Sequence, residues 1–222
     1  AGKTHNSKTQ KPMKKFIYAL LLAFICSFSS YAAPPAPDKP ISDESAIQQN
    51  QPDVISVMSV PFGKSRAEVK EILYQTQPTC KSAAPNEHSS PDAIQYRDIQ
   101  FAGRYGCSAS FEFVYDQFCL AIIQIPVTNI ARDYEKMKSD LSAKYGEPSE
   151  DVEHYSPPYE KGDGYLELAL SKEKADIHAW WHLPSSRIRL SMSENRIVLS
   201  YMDDERTKEY FKVLAKRRQG QL

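Results

Sequence analysis

The sequence predicts an α+β fold. It is an antiparallel sheet of about seven to eight strands, with two or three helices packed on one face, laid out as two helix-plus-meander units. Three observations predict it. Apolar residues recur at helical spacing over 66–75 and 129–145, and 204–218 has the charge order of a helix. Short alternating runs rich in β-branched and aromatic residues follow the first two of these segments. Tight turns separate neighbouring runs.

Each element has its own local warrant. Val54 to Val60 is a short β-like run ending at Pro61-Phe62-Gly63. Ser65-Arg66-Ala67-Glu68 is a capping box, and Ala67, Val69, Ile72 and Leu73 form the apolar stripe of the helix behind it. Gln77 to Pro91 carries three prolines and Cys80 and reads as a long loop. Three strands follow over 94–102, 106–115 and 118–127. A turn at Asp116-Gln117 would set Phe113 opposite Leu120 and Phe111 opposite Ile122. Ser108, Ser110 and Glu112 would then lie on a polar opposite face.

The second unit opens at Asn129. Tyr134, Met137, Leu141 and Tyr145 share a helix face, and Gly146 with Pro148 stops that helix. Glu150 to Gly164 reads as a polar loop. Four strands are expected over 165–171, 175–183, 186–192 and 196–202. A turn at Glu194-Asn195 pairs Met192 with Ile197, Leu190 with Leu199 and Ile188 with Tyr201. The last helix places Asp204 and Glu205 first and Lys216, Arg217 and Arg218 last, as the helix dipole favours.

The beginning of the chain carries a different signal. Met13-Lys14-Lys15 is a basic start, the run from Phe16 to Phe28 has no charge, and Ser30-Tyr31-Ala32 places small residues around a cleavage point. Those are the three regions of a secretory signal peptide. Residues 1–32 are therefore expected to be an upstream extension and a cleaved signal peptide. Residues 33–53 are a flexible linker rich in Pro, Gln, Asp and Ser, and 54–222 a single α+β domain. The apolar run is shorter than the roughly 20 residues of a membrane span. No stable span is expected after cleavage, and the location is periplasmic or secreted.

Of the 28 basic residues, five are in the leader, which has no acid. The remainder has 23 basic and 28 acidic side chains, a net charge of −5. A mildly acidic exported chain is a poor partner for nucleic acid or anionic lipid. Export also favours pairing of thiols. Cys119 opens an apolar strand and reads as buried, leaving Cys80 and Cys107 as the expected disulfide. That bridge would contribute about 3 kcal/mol in the chain-entropy treatment.

Two phrases carry a resemblance. Pro61-Phe62-Gly63-Lys64-Ser65 precedes one helix, and Leu141-Ser142-Ala143-Lys144-Tyr145-Gly146-Glu147-Pro148 ends another. The chain resembles small exported bacterial α+β proteins of unknown function, in which such phrases bracket helices before a strand meander. The two-unit layout is also similar to β-lactamase-inhibitor-like and outer-membrane-assembly lipoprotein domains. That likeness implies a protein-binding role and no activity.

The residues give little chemistry. His178 and His182 have helical metal spacing, but the alternation of Ile177, Ala179, Trp181 and Leu183 places them on a strand, about 13 Å apart, too far for one ion. No metal site is expected. Asp203-Asp204-Glu205 reads as a helix cap, and Asp98 and Glu112 as carboxylates of a solvated sheet face. No nucleophile motif, phosphate loop or dinucleotide fingerprint is present, so no catalytic residue and no cofactor is indicated. The aromatic residues remain. Tyr155 and Tyr159 sit in the polar loop, and Trp180 shares a strand face with His178 and His182. Tyr and Trp on a polar surface are favoured interface anchors. These five residues, on an exposed sheet face or in the 150–163 loop, are the candidate binding residues of a non-catalytic exported protein whose partner is another envelope macromolecule. An envelope hydrolase with a site assembled from distant residues, and a carrier of a small apolar ligand, are the other readings.

Overall fold

The computed structural model describes residues 52–82 and 92–220. The expected leader lies outside these residues, as does the linker up to residue 51. In chain order the elements are β1 (Ser56–Val57), β2 (Val60–Pro61), α1 (Arg66–Thr76), α2 (Pro78–Ser82), β3 (Ala93–Phe101), β4 (Arg104–Val114) and β5 (Gln117–Pro126). Then come α3 (Ile130–Tyr145), β6 (Glu150–Tyr155), α4 (Leu166–Ser171), β7 (Ala175–His182), β8 (Ser186–Ser193), β9 (Arg196–Asp203) and α5 (Asp204–Gln219).

Hairpins build the sheet. β3, β4 and β5 form one antiparallel meander, and β6, β7, β8 and β9 form another. β5 and β9 pair antiparallel from Leu120↔Met202 to Pro126↔Arg196. Seven strands thus join in the order β3-β4-β5-β9-β8-β7-β6. The α+β class is as the sequence predicts.

Two registers compare differently with expectation. In the second meander the pairs Met192↔Ile197, Leu190↔Leu199 and Ile188↔Tyr201 are those expected. In the first, the turn residues are Tyr115 and Asp116, both at positive φ, one position before the expected turn. Cys119 then forms a bulge, so Phe113 pairs with Phe118 and Phe111 with Ala121. The apolar face survives because the bulge restores the alternation.

That face carries the core. Phe111, Ile123, Leu199, Ile197, Leu190, Ile188 and Trp181 all have at most 2% exposure. α1 covers it with Val69 and Leu73, and α3 with Tyr134, Leu141 and Tyr145. The segments 61–65 and 141–148 hold these helices in place. Ser65 and Glu68 make the expected capping box at the start of α1. Gly63, at φ +82°, donates its N–H to Phe118 O at 2.8 Å, and Phe62 stacks on Phe118. At the end of α3, Gly146 O accepts from Trp181 Nε1 at 2.8 Å.

α5 lies on the opposite face. Ser110 and Glu112, expected to be solvated there, are buried beneath it. Ser110 Oγ donates to Glu112 Oε1 at 2.6 Å and Tyr210 OH to Oε2 at 2.9 Å. Thr207 Oγ1 donates to Cys119 O at 2.9 Å. The polar stripe on this face is therefore the anchor of the last helix.

Cys80 and Cys107 do not form the expected disulfide. All three described cysteines are free and buried. Cys80 and Cys107 pack as apolar core residues, and Cys107 Sγ donates to Arg104 O at 3.4 Å. Burial pushes the Cys80 thiol up to about 11. The last linker residue is not free either. Asp53 accepts from the N–H of Val54 at 2.9 Å and of Ser185 at 3.0 Å, and from the hydroxyls of Ser185 and Ser186. Partial burial raises its carboxyl, but these donors outweigh burial and hold it below the ordinary range. The chain enters the domain pinned to the β7–β8 turn.

Glu112 gives a pH test. Burial pushes its carboxyl up, against the donors Ser110 and Tyr210; Asp92 pushes the same way and Arg66 opposes. A carboxyl raised by folding favours the fold in its protonated form. Its contribution is full below the ordinary value and is lost as pH rises through the raised one. Urea denaturation of Glu112→Gln should therefore show stability falling less than in the parent as pH rises above the ordinary carboxyl range. Parallel pH profiles would contradict the assignment.

Candidate functional site

The segment expected to be a loop at Glu150 to Gly164 contains β6, the last strand of the sheet. Only Val152 among its first five residues is apolar, so no alternation announces it. An edge strand built from charged residues is a recognised way to discourage further pairing. The stretch at 165–171, expected to be a strand, is instead the helix α4. Leu166, Ala169 and Leu170 lie at helical spacing, and the latter two are buried.

These differences create a cleft of about 1160 Å³ between α3, β6 and the 160–171 segment. Ile177 of β7 and Met192 of β8 supply apolar surface to it. On one wall, alternate residues Asp151, Glu153 and Tyr155 of β6 face the cleft. The opposing segment contributes Glu160, Asp163 and Glu167.

Positioning is explicit on the α3 side. Asn129 Oδ1 caps the helix by accepting from Arg132 N at 3.0 Å. Arg104 at the start of β4 donates two hydrogen bonds to Asp133, at 3.2 and 3.0 Å. This fork lowers the Asp133 carboxyl and ties the first turn of α3 to the sheet. Further along, Lys138 Nζ reaches Asp151 at 3.0 Å and Glu135 at 3.4 Å, and sits 5.7 Å from the Tyr134 ring centre. Partial burial disfavours its charge, but the two carboxylates more than compensate and hold the ammonium above its ordinary value. Lys161 pairs with Glu153 across the cleft mouth. Tyr155 OH donates to the same carboxylate at 3.2 Å, and burial together with Glu153 raises the phenol.

Tyr134 is the unusual member. It lines the cleft, is 0% exposed, and its hydroxyl has no hydrogen-bond partner among the described residues. Burial raises its phenol, and Asp151 and Glu135 add to the rise. A buried hydroxyl left unpaired costs on the order of 1–3 kcal/mol.

The sequence candidates separate onto two surfaces. Tyr155 lines the cleft, whereas Tyr159 is half-buried beside it, its N–H donating to Ser156 O at 3.2 Å. His178, Trp180 and His182 share one face of β7, as expected, but that is the face opposite the cleft. There His178 Nδ1 lies 2.9 Å from Asp176, Trp180 lies 6.0 Å from His182, and Arg189 sits 5.6 Å from the Trp180 ring centre. Among the described residues, no three His, Cys, Asp or Glu side chains gather as a metal site, and no helix is long and apolar enough to cross a membrane.

Sequence reasoning missed Tyr134, Lys138, Asp151 and Glu153. Tyr134 read as ordinary helix core. Alternation of Asp151, Glu153 and Tyr155 was the one available sign of a strand face. No family model, curated protein or solved structure matches this chain.

Tyr134→Phe keeps the ring and removes the unpaired hydroxyl. Chemical denaturation should show a gain of about 1 kcal/mol in the variant. A loss of stability of that size would mean that the hydroxyl has a partner.

Proposed function

We propose that this chain is an exported, non-catalytic protein that binds another envelope macromolecule, and that the α3–β6 cleft is where it binds. Export is supported by the basic start, apolar run and small-residue cleavage point before residue 33. The observation that carries the binding role is the cleft itself. It is large, partly apolar, and holds a fully buried hydroxyl with no partner among the described residues. Stability alone gives no reason to keep such a group. A ligand that satisfied it would turn a cost into a contact.

The scaffold suits the task. α3 is fixed at its start by Arg104–Asp133 and at its end by Trp181–Gly146, so the wall is rigid. The opposing segment is held by the buried Ala169 and Leu170 of α4, by Lys161–Glu153, and by Asp163, which accepts from the N–H groups of Glu160 and Tyr165.

A photo-cross-linking residue at Leu168, on the cleft rim, tests this reading. In envelope extract it should give a discrete adduct that unmodified protein competes away. The same residue at exposed Tyr105, away from the cleft, should give none. Equal adducts at both positions, or none at Leu168, would contradict the proposal.

A further inference from the structure

We propose that the occupant of the cleft is an extended, basic stretch of polypeptide, with Lys or Arg heads on the carboxylate rim and their aliphatic stems on the apolar floor. This rests on the binding role argued above and names the chemistry of the partner.

Charge is the first argument. Seven carboxylates and two lysines line the cleft, a net charge of −5. Both lysines already have partners within it: Lys138 pairs with Glu135 and Asp151, and Lys161 with Glu153. Glu160, Glu167 and Glu194 are exposed, line the cleft and make no ion pair among the described residues. A concave wall of one sign concentrates its field and draws in opposite charge. The N-terminus of α3 opens on the same space, but its dipole amounts to only about half a positive charge.

The bland account of these acids is that they guard the edge strand. It covers Asp151 and Glu153 on β6. It does not cover Glu160, Glu167 or Glu194, which lie elsewhere in the chain and meet only at the cleft.

Shape is the second argument. The floor offers Ile177, Met192 and the Tyr134 ring, directly beside the acidic rim. Long basic side chains are apolar along the stem and charged at the tip, so one such residue matches both surfaces. Lys138 shows the fit within the protein itself: its ammonium lies between two carboxylates, over the Tyr134 ring. The Tyr134 hydroxyl, buried and without a partner among the described residues, can accept a hydrogen bond from a cationic head or a peptide N–H.

Size is the third. At about 1160 Å³ the cleft exceeds the roughly 300–1,000 Å³ of small-molecule sites. It suits several linked residues better than a single amine. A second copy of this chain would bring an equally acidic cleft wall to the contact, so self-association through this surface is disfavoured.

The test uses the whole purified protein and a fluorescein-labelled nonapeptide alternating lysine with alanine, read by fluorescence anisotropy. Saturable binding is expected. It should weaken about 10-fold in the triple variant Glu160→Gln, Glu167→Gln, Glu194→Gln, and it should weaken as salt is raised. The matching glutamate–alanine peptide should not bind. The three substituted side chains are exposed, and an unchanged melting temperature verifies that the variant folds. Lack of saturable binding, or binding unaffected by the triple variant, overturns the inference. Equal affinity for spermine overturns the assignment to polypeptide. Rim cross-links at Leu168 that persist while the lysine peptide fails would remove this inference alone. Loss of both would remove the binding role as well.

Discussion

The pairing of β5 with β9 is the constraint on which the rest depends. Each meander closes by local hairpins, but neither alone gives the sheet its width. The seven residue pairs from Leu120↔Met202 to Pro126↔Arg196 join positions 70 to 82 residues apart in the chain. Once β9 lies beside β5, β6 is forced to the far edge of the sheet. The segment linking β5 to β6 must then cross the second meander. α3 is that crossing. Its course over β8 and β9 is pinned by Arg104–Asp133 at one end and Trp181–Gly146 at the other. The cleft follows from that topology: it is the space left between a helix obliged to cross the sheet and the α4 segment packed beyond it. Pairings of this sequence separation form late and slowly, because loop closure precedes the contacts that reward it.

Both faces of the sheet are used, for different reasons. The apolar face holds the aromatic and branched residues under α1 and α3. The opposite face carries a polar stripe that α5 converts into an anchor, through Tyr210 on Glu112 and Thr207 on Cys119 O. A buried carboxylate is a costly way to dock a helix. Tyr210 on Glu112 and Thr207 on Cys119 O fix where α5 sits over β4 and β5, which a purely apolar contact would specify less sharply. The same economy of fixed points appears at Asp53, where one carboxylate gathers four donors and settles where the chain enters the fold.

Much of this was legible in the sequence. The capping box at Ser65 and Glu68, the stop at Gly146, the final helix and the register across Glu194-Asn195 all rest on local chemistry that tertiary structure leaves intact. The first meander was read one position out because its turn is Tyr115-Asp116, without the glycine that usually marks a turn of this kind, and because Cys119 is a bulge. Leu166, Leu168 and Leu170 alternate like a strand, yet Ala169 and Leu170 bury together on a helix. β6 escaped because an edge strand can be almost wholly polar. The expected disulfide failed since Cys80 and Cys107 are packing residues, a role spacing cannot reveal. The candidate site was legible only at Tyr155. Its acidic residues come from α3, β6, the 160–167 segment and the β8–β9 turn, and only the β5–β9 topology gathers them. The aromatic and histidine face of β7 was read correctly as one face, but it lies across the sheet from the cleft.

Native-state hydrogen exchange tests the central pairing most directly. If β5 and β9 weld the two meanders into one cooperative unit, the amides of Ile123 and Leu199 should be among the slowest, and should exchange only on global unfolding. Exchange of residues 150–203 as a separate, less stable block, with the 93–126 meander still protected, would contradict it.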